Sequence, residues 1–144
     1  MMYGYNIDQE MILSDGIALP NATSGDSTNM VNIGGQTGQK LVISVYAKTG
    51  VTVATAKAMF IEIQAFTGDT AASAVSPIAN AHVYAIHKTT ADAELAIAAG
   101  ALICEYAIPE QMFANSSYDW VQLLITTDED LSAMTYDAFV RVEV

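Results

Sequence analysis

Short apolar runs with alternating side chains, separated by Gly, Asn, Ser and Thr, predict an all-β chain. The expected architecture is an antiparallel, jelly-roll-like β-sandwich with an extended N-terminal arm and at most one short helix. Three runs carry the prediction. Lys40–Ala47 reads K-L-V-I-S-V-Y-A, Ala58–Phe66 reads A-M-F-I-E-I-Q-A-F, and Trp120–Thr127 reads W-V-Q-L-L-I-T-T. Successive side chains of a strand point to opposite faces, so Met59, Ile61, Ile63 and Ala65 share one face and Phe60, Glu62, Gln64 and Phe66 the other.

Taken in order, residues 7–20 mix acidic and apolar side chains without a sustained period and read as an extended arm or irregular edge segment, with a turn at Asp15-Gly16 and a break at Pro20. Residues 21–27 are a polar loop, and 28–33 a strand ended by Gly34-Gly35. The strand over 41–47 turns at Lys48-Thr49-Gly50, and the β-branched run 51–55 extends an edge. After the strand over 58–66, residues 67–70 turn, 71–81 loop around Pro77, and 82–88 alternate again as a strand. Residues 90–101, T-A-D-A-E-L-A-I-A-A-G-A, divide two signals. Alanine content, a capping Thr90 and a closing Gly100 predict a two-turn helix, while every flanking segment favours strand. Helix stands slightly ahead. Residues 102–108 form a strand halted by Pro109, 109–117 a loop, and 139–144 a terminal strand. About seven or eight strands at hairpin-like intervals suit a sandwich rather than a parallel sheet with crossover helices. The chain therefore divides into an arm, 1–20, and a single β-sandwich domain, 21–144.

Composition narrows the class of function. Hydrophobic residues make up 52% and charged residues 15%, which excludes disorder. The net charge is −11, and the five basic residues are scattered with no two adjoining. Neutralising a phosphate backbone needs clustered Lys and Arg, so nucleic acid is an unfavourable partner, and the charge repels anionic lipid. No stretch approaches the roughly twenty apolar residues that span a bilayer, and the first residues lack the basic and apolar regions of a signal peptide. Synthesis in a cytoplasm is the expectation. Cys104 is the only cysteine, which excludes an intrachain disulfide.

No constellation for catalysis emerges. His82 and His87 have odd separation on one expected strand and point to opposite faces. Cys104 alternates with Leu102 and Tyr106 and reads as a small core side chain. Asp128-Glu129-Asp130 offers oxygens for Ca²⁺ but lacks EF-hand spacing, and consecutive acids in a turn ordinarily face water. Glu62 and Glu105 sit on strands as a glycosidase pair does, yet their ordinary reading is a solvent-facing position. No catalytic residue, cofactor or metal is expected. Trp120 reads as a core or rim anchor.

Two segments carry a family likeness: D-Q-E-M-I-L-S-D-G-I-A-L (residues 8–19) and S-T-N-M-V-N-I-G (residues 27–34). Together they resemble the opening of the capsid cement, or decoration, proteins of short-tailed bacteriophages, with Asn32 standing where Asp is common. The likeness continues more loosely through residues 41–45, 61–69 and 98–103, then Ile108-Pro109 and Y-x-W-V-Q-L at 118–123. Asp119 and Gln122 replace basic residues of the relatives, which puts any contact made by those charges in doubt. The resemblance implies a jelly roll on the outer surface of an icosahedral virion. There it binds the major capsid protein and clamps neighbouring copies, as a homo-oligomer with a homodimer ahead of a trimer. The implied interface residues are Tyr3, Tyr5, Ile7, Met11, Ile12 and Leu13 with the loops. Physical reasoning agrees on two points: acidity suits an exterior above packaged DNA, and an arm can add a strand to a partner or pack on its own domain. The rival classes are a carbohydrate-binding jelly roll for host adhesion, marked by an exposed aromatic groove, and a small β-sandwich hydrolase, marked by a convergent carboxylate pair.

Overall fold

A computed structural model describes residues 11–33, 40–70, 89–90, 94–108 and 119–143. The strand expected over 82–88, the loops over 71–81 and 109–117, and Tyr3, Tyr5 and Ile7 lie outside the described residues.

Among the described residues the regular structure is eleven strands and no α-helix. The four-stranded sheet runs β1 (Ile12–Ala18), β11 (Thr135–Glu143), β4 (Lys40–Ala47), β9 (Leu102–Ala107) in spatial order. The second sheet runs β2 (Ser24–Asp26), β10 (Trp120–Thr127), β6 (Ala58–Phe66), β7 (Thr89–Thr90), with β3 (Val31–Asn32) also on β10. A small ribbon joins β5 (Val51–Val53) to β8 (Leu95–Ile97). Every pairing is antiparallel.

The alternation read from the sequence sets the layers. In β6 the core-facing set is Met59, Ile61, Ile63 and Ala65, each at most 1% exposed. Their cross-strand partners Val121, Leu123 and Ile125 on β10 are equally buried. Leu41, Ile43, Val45 and Ala47 of β4 pair with Val142, Val140, Ala138 and Tyr136 of β11 on one face. Both sheets contribute to a single apolar cluster, so the architecture is a β-sandwich-like pair of antiparallel layers.

Two expectations change and a third narrows. Residues 94–101 are not helical. Leu95–Ile97 pairs with β5 through Val51↔Ile97, Thr52↔Ala96 and Val53↔Leu95, and Ala99-Gly100 forms a turn with Gly100 at φ 84°. A two-turn helix leaves most of its bonds unformed at its ends, whereas the extended segment finds a ready β-branched partner. The loop expected over 21–27 contains β2, whose Ser-Gly-Asp sequence has no strand propensity of its own and is held by β10. Leu124 faces Asp26, Ile125 faces Gly25, and the Ser24 and Thr126 hydroxyls hydrogen-bond at 2.8 Å. Lastly, of the two readings of residues 7–20, the irregular edge segment is the one seen over 12–18, which form the edge strand β1 on β11 of the same chain.

Candidate functional site

The residues singled out for interaction divide by face. Leu13 is completely buried and belongs to the apolar core. Met11 is half-buried and packs against that core. Ile12 is half-buried and pairs with Phe139, which puts it on the outer face of the four-stranded sheet. Phe139 stacks on Tyr46 there, with ring centroids 5.7 Å apart. On the same face the Arg141 guanidinium donates to Glu105 at 2.8 Å, and Ser44 Oγ donates to the other Glu105 oxygen at 3.1 Å.

The segments that carry the family likeness interlock. Asn29 N donates to the Leu13 carbonyl at 2.9 Å, and Asn29 Nδ2 donates to the Ile12 carbonyl at 3.1 Å. Ser14 Oγ accepts from Thr28 N at 3.4 Å and donates to the buried Tyr136 hydroxyl at 3.1 Å. Ser27 Oγ accepts from Leu123 N at 3.0 Å and donates to the Asn29 carbonyl at 3.0 Å. So the L-S-D and S-T-N triplets form one hydrogen-bonded unit that spans the two sheets.

The outer face of the five-stranded sheet carries a row that sequence reasoning left unassembled. Trp120 lies opposite Phe66, Gln122 opposite Gln64, Leu124 opposite Glu62, and Thr126 opposite Phe60. Trp120, Gln64 and Glu62 are half-buried, Phe66 is buried, and Gln122 donates to the Ser27 carbonyl at 3.3 Å. The alternation of Ala58–Phe66 already put Phe60, Glu62, Gln64 and Phe66 on one face; only the register with β10 adds Trp120 and Gln122.

The candidate reactive groups do not converge. Glu62 and Glu105 stand on the outer faces of different sheets, with the core between them. Cys104 sits opposite Val45 in the core, and burial pushes its thiol up to about 12. The acidic turn spends its carboxylates separately. Asp128 Oδ1 accepts from Ala58 N at 2.8 Å, Glu129 Oε1 from Ala54 N at 2.8 Å, and Asp130 Oδ1 from Ser132 N at 2.9 Å. The Ser132 hydroxyl also donates to Asp130 at 2.5 Å, and these bonds hold the Asp130 carboxyl below its usual range. Among the described residues no group of three or more His, Cys, Asp or Glu side chains is placed to hold a metal ion. Comparison with protein-family models, with curated proteins and with solved structures found no match.

Proposed function

We propose that the chain is a capsid decoration protein. It binds the outer surface of an icosahedral phage shell as a small homo-oligomer and clamps neighbouring major capsid proteins together. The observation that carries this reading is the interlock of the two segments that resemble the decoration family: their polar triplets bond to one another across the sheets instead of facing solvent independently. A jelly roll belongs to the same reading, and the strand order supports it. With β2 and β3 taken as one interrupted strand and the β5–β8 ribbon set aside, β1 pairs β11, β2 and β3 pair β10, β4 lies beside β9, and β6 beside β7. This nested pairing of first with last, inward to the middle, is what rolling up one long antiparallel hairpin produces.

The mechanism is linkage. A protein that binds only the assembled shell stabilises it by RT ln(1 + [L]/Kd), about 2.7 kcal/mol at a hundredfold excess over Kd. No reaction centre is required, only a rigid scaffold and a self-complementary surface. The test is co-sedimentation with shells assembled from the major capsid protein encoded beside it. Saturable binding at a fixed copy ratio with a raised shell melting temperature is the expected result. Shells that melt and resist osmotic shock identically with and without the protein overturn the reading.

The row on the five-stranded sheet favours a second reading, adhesion to a neutral glycan. Aromatic, amide and carboxylate side chains follow one another along β10 and β6, which suits stacking on sugar faces with hydrogen bonds to hydroxyls. Trp120 is the chain's only tryptophan, so its fluorescence reports directly on that face. A saturable shift with neutral oligosaccharides that Gln64→Ala removes would favour adhesion; an unchanged spectrum leaves the decoration reading alone.

A further inference from the structure

Asp15 and Gly16 lie where β1 breaks step with β11, between the paired positions Ser14 and Ile17. Gly16 takes φ 61°, and a Cβ there would stand 3.0 Å from Lys48 Nζ and 3.1 Å from Lys48 Cδ. The left-handed backbone favours glycine, and the Lys48 side chain crossing it would have to shift for any Cβ. The fold therefore places glycine after an aspartate whose side chain is 75% exposed. This is the only Asp-Gly in the chain. Among aspartyl dipeptides Asp-Gly is the most prone to cyclise, because no side chain on the second residue hinders its amide nitrogen.

We propose that Asp15 is a site of spontaneous aspartate isomerisation that the folded sheet holds closed, with Asp137 and Lys48 as the lock. In the open reaction the Gly16 nitrogen bonds to Asp15 Cγ. The amide proton and one carboxyl oxygen leave with a second proton as water, forming a five-membered succinimide. Water then adds to either carbonyl, restoring aspartate or giving an isoaspartyl linkage in which the backbone runs through Cγ. No oxidant or other reactant enters, and the net change is an isomerisation.

Each reacting group is held elsewhere. The Gly16 N–H donates to Asp137 Oδ1 at 2.7 Å, so the nitrogen must give up a charge-assisted bond and rotate before it can reach Cγ. Asp137 is itself buried in β11 and cannot follow it. The Asp15 carboxylate is drawn to Lys48 Nζ at 3.0 Å, and the same ammonium lies 4.0 Å from Asp137. Those two carboxylates raise the Lys48 pKa, the Asp15 hydrogen bond most, so the ammonium is charged at neutral pH. An isoaspartyl linkage adds a backbone methylene, after which Ile17 and Ala18 cannot meet Tyr136 and Thr135 in register. Opening is thus followed by a lasting defect in the edge strand.

The test incubates wild type, Lys48→Met and Asp137→Ala at neutral pH, folded by near-ultraviolet circular dichroism, beside wild type in guanidinium. Isoaspartate at residue 15 is read by isoaspartyl methyltransferase labelling and by chromatographic separation of the equal-mass peptides. Folded wild type is expected to convert about ten- to a hundredfold more slowly than denatured chain, the range set by a charged hydrogen bond. Both variants should convert faster than folded wild type, Asp137→Ala the more so. Should Asp137→Ala fail to fold, Lys48→Met decides, since methionine keeps the apolar stem over Gly16 without the charge. Folded wild type converting at the denatured rate, or folded variants converting no faster than wild type, overturns the proposal.

Discussion

Replacing Glu129 by alanine tests whether the acidic turn is structural. Glu129 joins two turns that each contain a non-glycine residue at positive φ. Its carboxylate accepts from Ala54 N at 2.8 Å, ahead of Ala56 at φ 60°, and its carbonyl accepts from Ala22 N at 2.9 Å, where φ is 48°. Such conformations cost on the order of 1 kcal/mol each and persist only when neighbours fix them. Glu129→Ala leaves the carbonyl bond and removes the carboxylate. A hydrogen bond to a charged group contributes about 1.5–3 kcal/mol, and because Glu129 is half-buried, water can replace part of it, which favours the lower end. For a chain of this length about 1.5 kcal/mol lowers Tm by roughly 6 °C. Glu129→Gln removes the same charge but keeps an oxygen that can accept from Ala54 N, so it should lose less than half as much. The pair separates the hydrogen bond from the general relief of negative charge, which would raise Tm in both. Calorimetry with and without millimolar calcium is the assay. Variants within about 1 °C of wild type, or a calcium-induced rise in wild type that Glu129→Ala abolishes, would refute the structural assignment.

Two further predictions concern buried groups. Because burial raises the Cys104 thiol from its ordinary value near 9 to about 12, the folded chain keeps a proton there that the unfolded chain releases. The thiol's share of the stability is therefore complete below pH 9 and is lost above it, by about 1.4 kcal/mol per pH unit at most until the folded thiol ionises, with Tyr136 and Tyr106, also raised by burial, adding to the decline above pH 10. Cys104→Ala should flatten that alkaline decline in urea titrations at pH 8 to 11, and an identical decline would count against the assignment. Tyr136→Phe strands the Ser14 hydroxyl beneath β1 and should cost about 1–3 kcal/mol, read from the urea midpoint at unchanged m-value; a cost near zero would mean that the hydroxyl finds another partner.

Alternation along single strands was legible because the sandwich buries one face of each long strand, and Met59, Ile61, Ile63 and Ala65 line up as a period of two requires. What the sequence could not yield were features decided by a partner. Ser24–Asp26 is a strand because β10 offers its edge, and Leu95–Ile97 is one because β5 does. Gly100 shows the limit well: the positive φ that would close a helix also makes a strand-to-strand turn, so a chain-reversing glycine is legible there and the element it follows is not. The same holds for β1. Its acidic and apolar residues have no clean alternation because the strand breaks register twice against β11, and each break moves the following side chains to the opposite face. Leu13 and Ser14 are consequently both buried, where an unbroken strand would put one of them outside. For the outer row, the alternation of β6 alone puts half its members on one face, but the Trp120–Phe66 and Gln122–Gln64 pairs exist only in the register between β6 and β10.

The use made of polar side chains bears on function more than any single residue does. Ser14, Ser27, Asp128, Glu129, Asp130 and Asp137 each accept a hydrogen bond from a backbone N–H. An enzyme keeps its reactive groups unspent and converging on one cavity, where burial and like charges shift their pKa values. Among the described residues the large shift belongs to a core cysteine moved by burial, opposite a valine. Side chains committed to turns raise the cost of deforming loops, and a stiff scaffold loses less conformational entropy when a surface docks. That economy suits the proposed decoration role, in which the chain holds its shape against a neighbour.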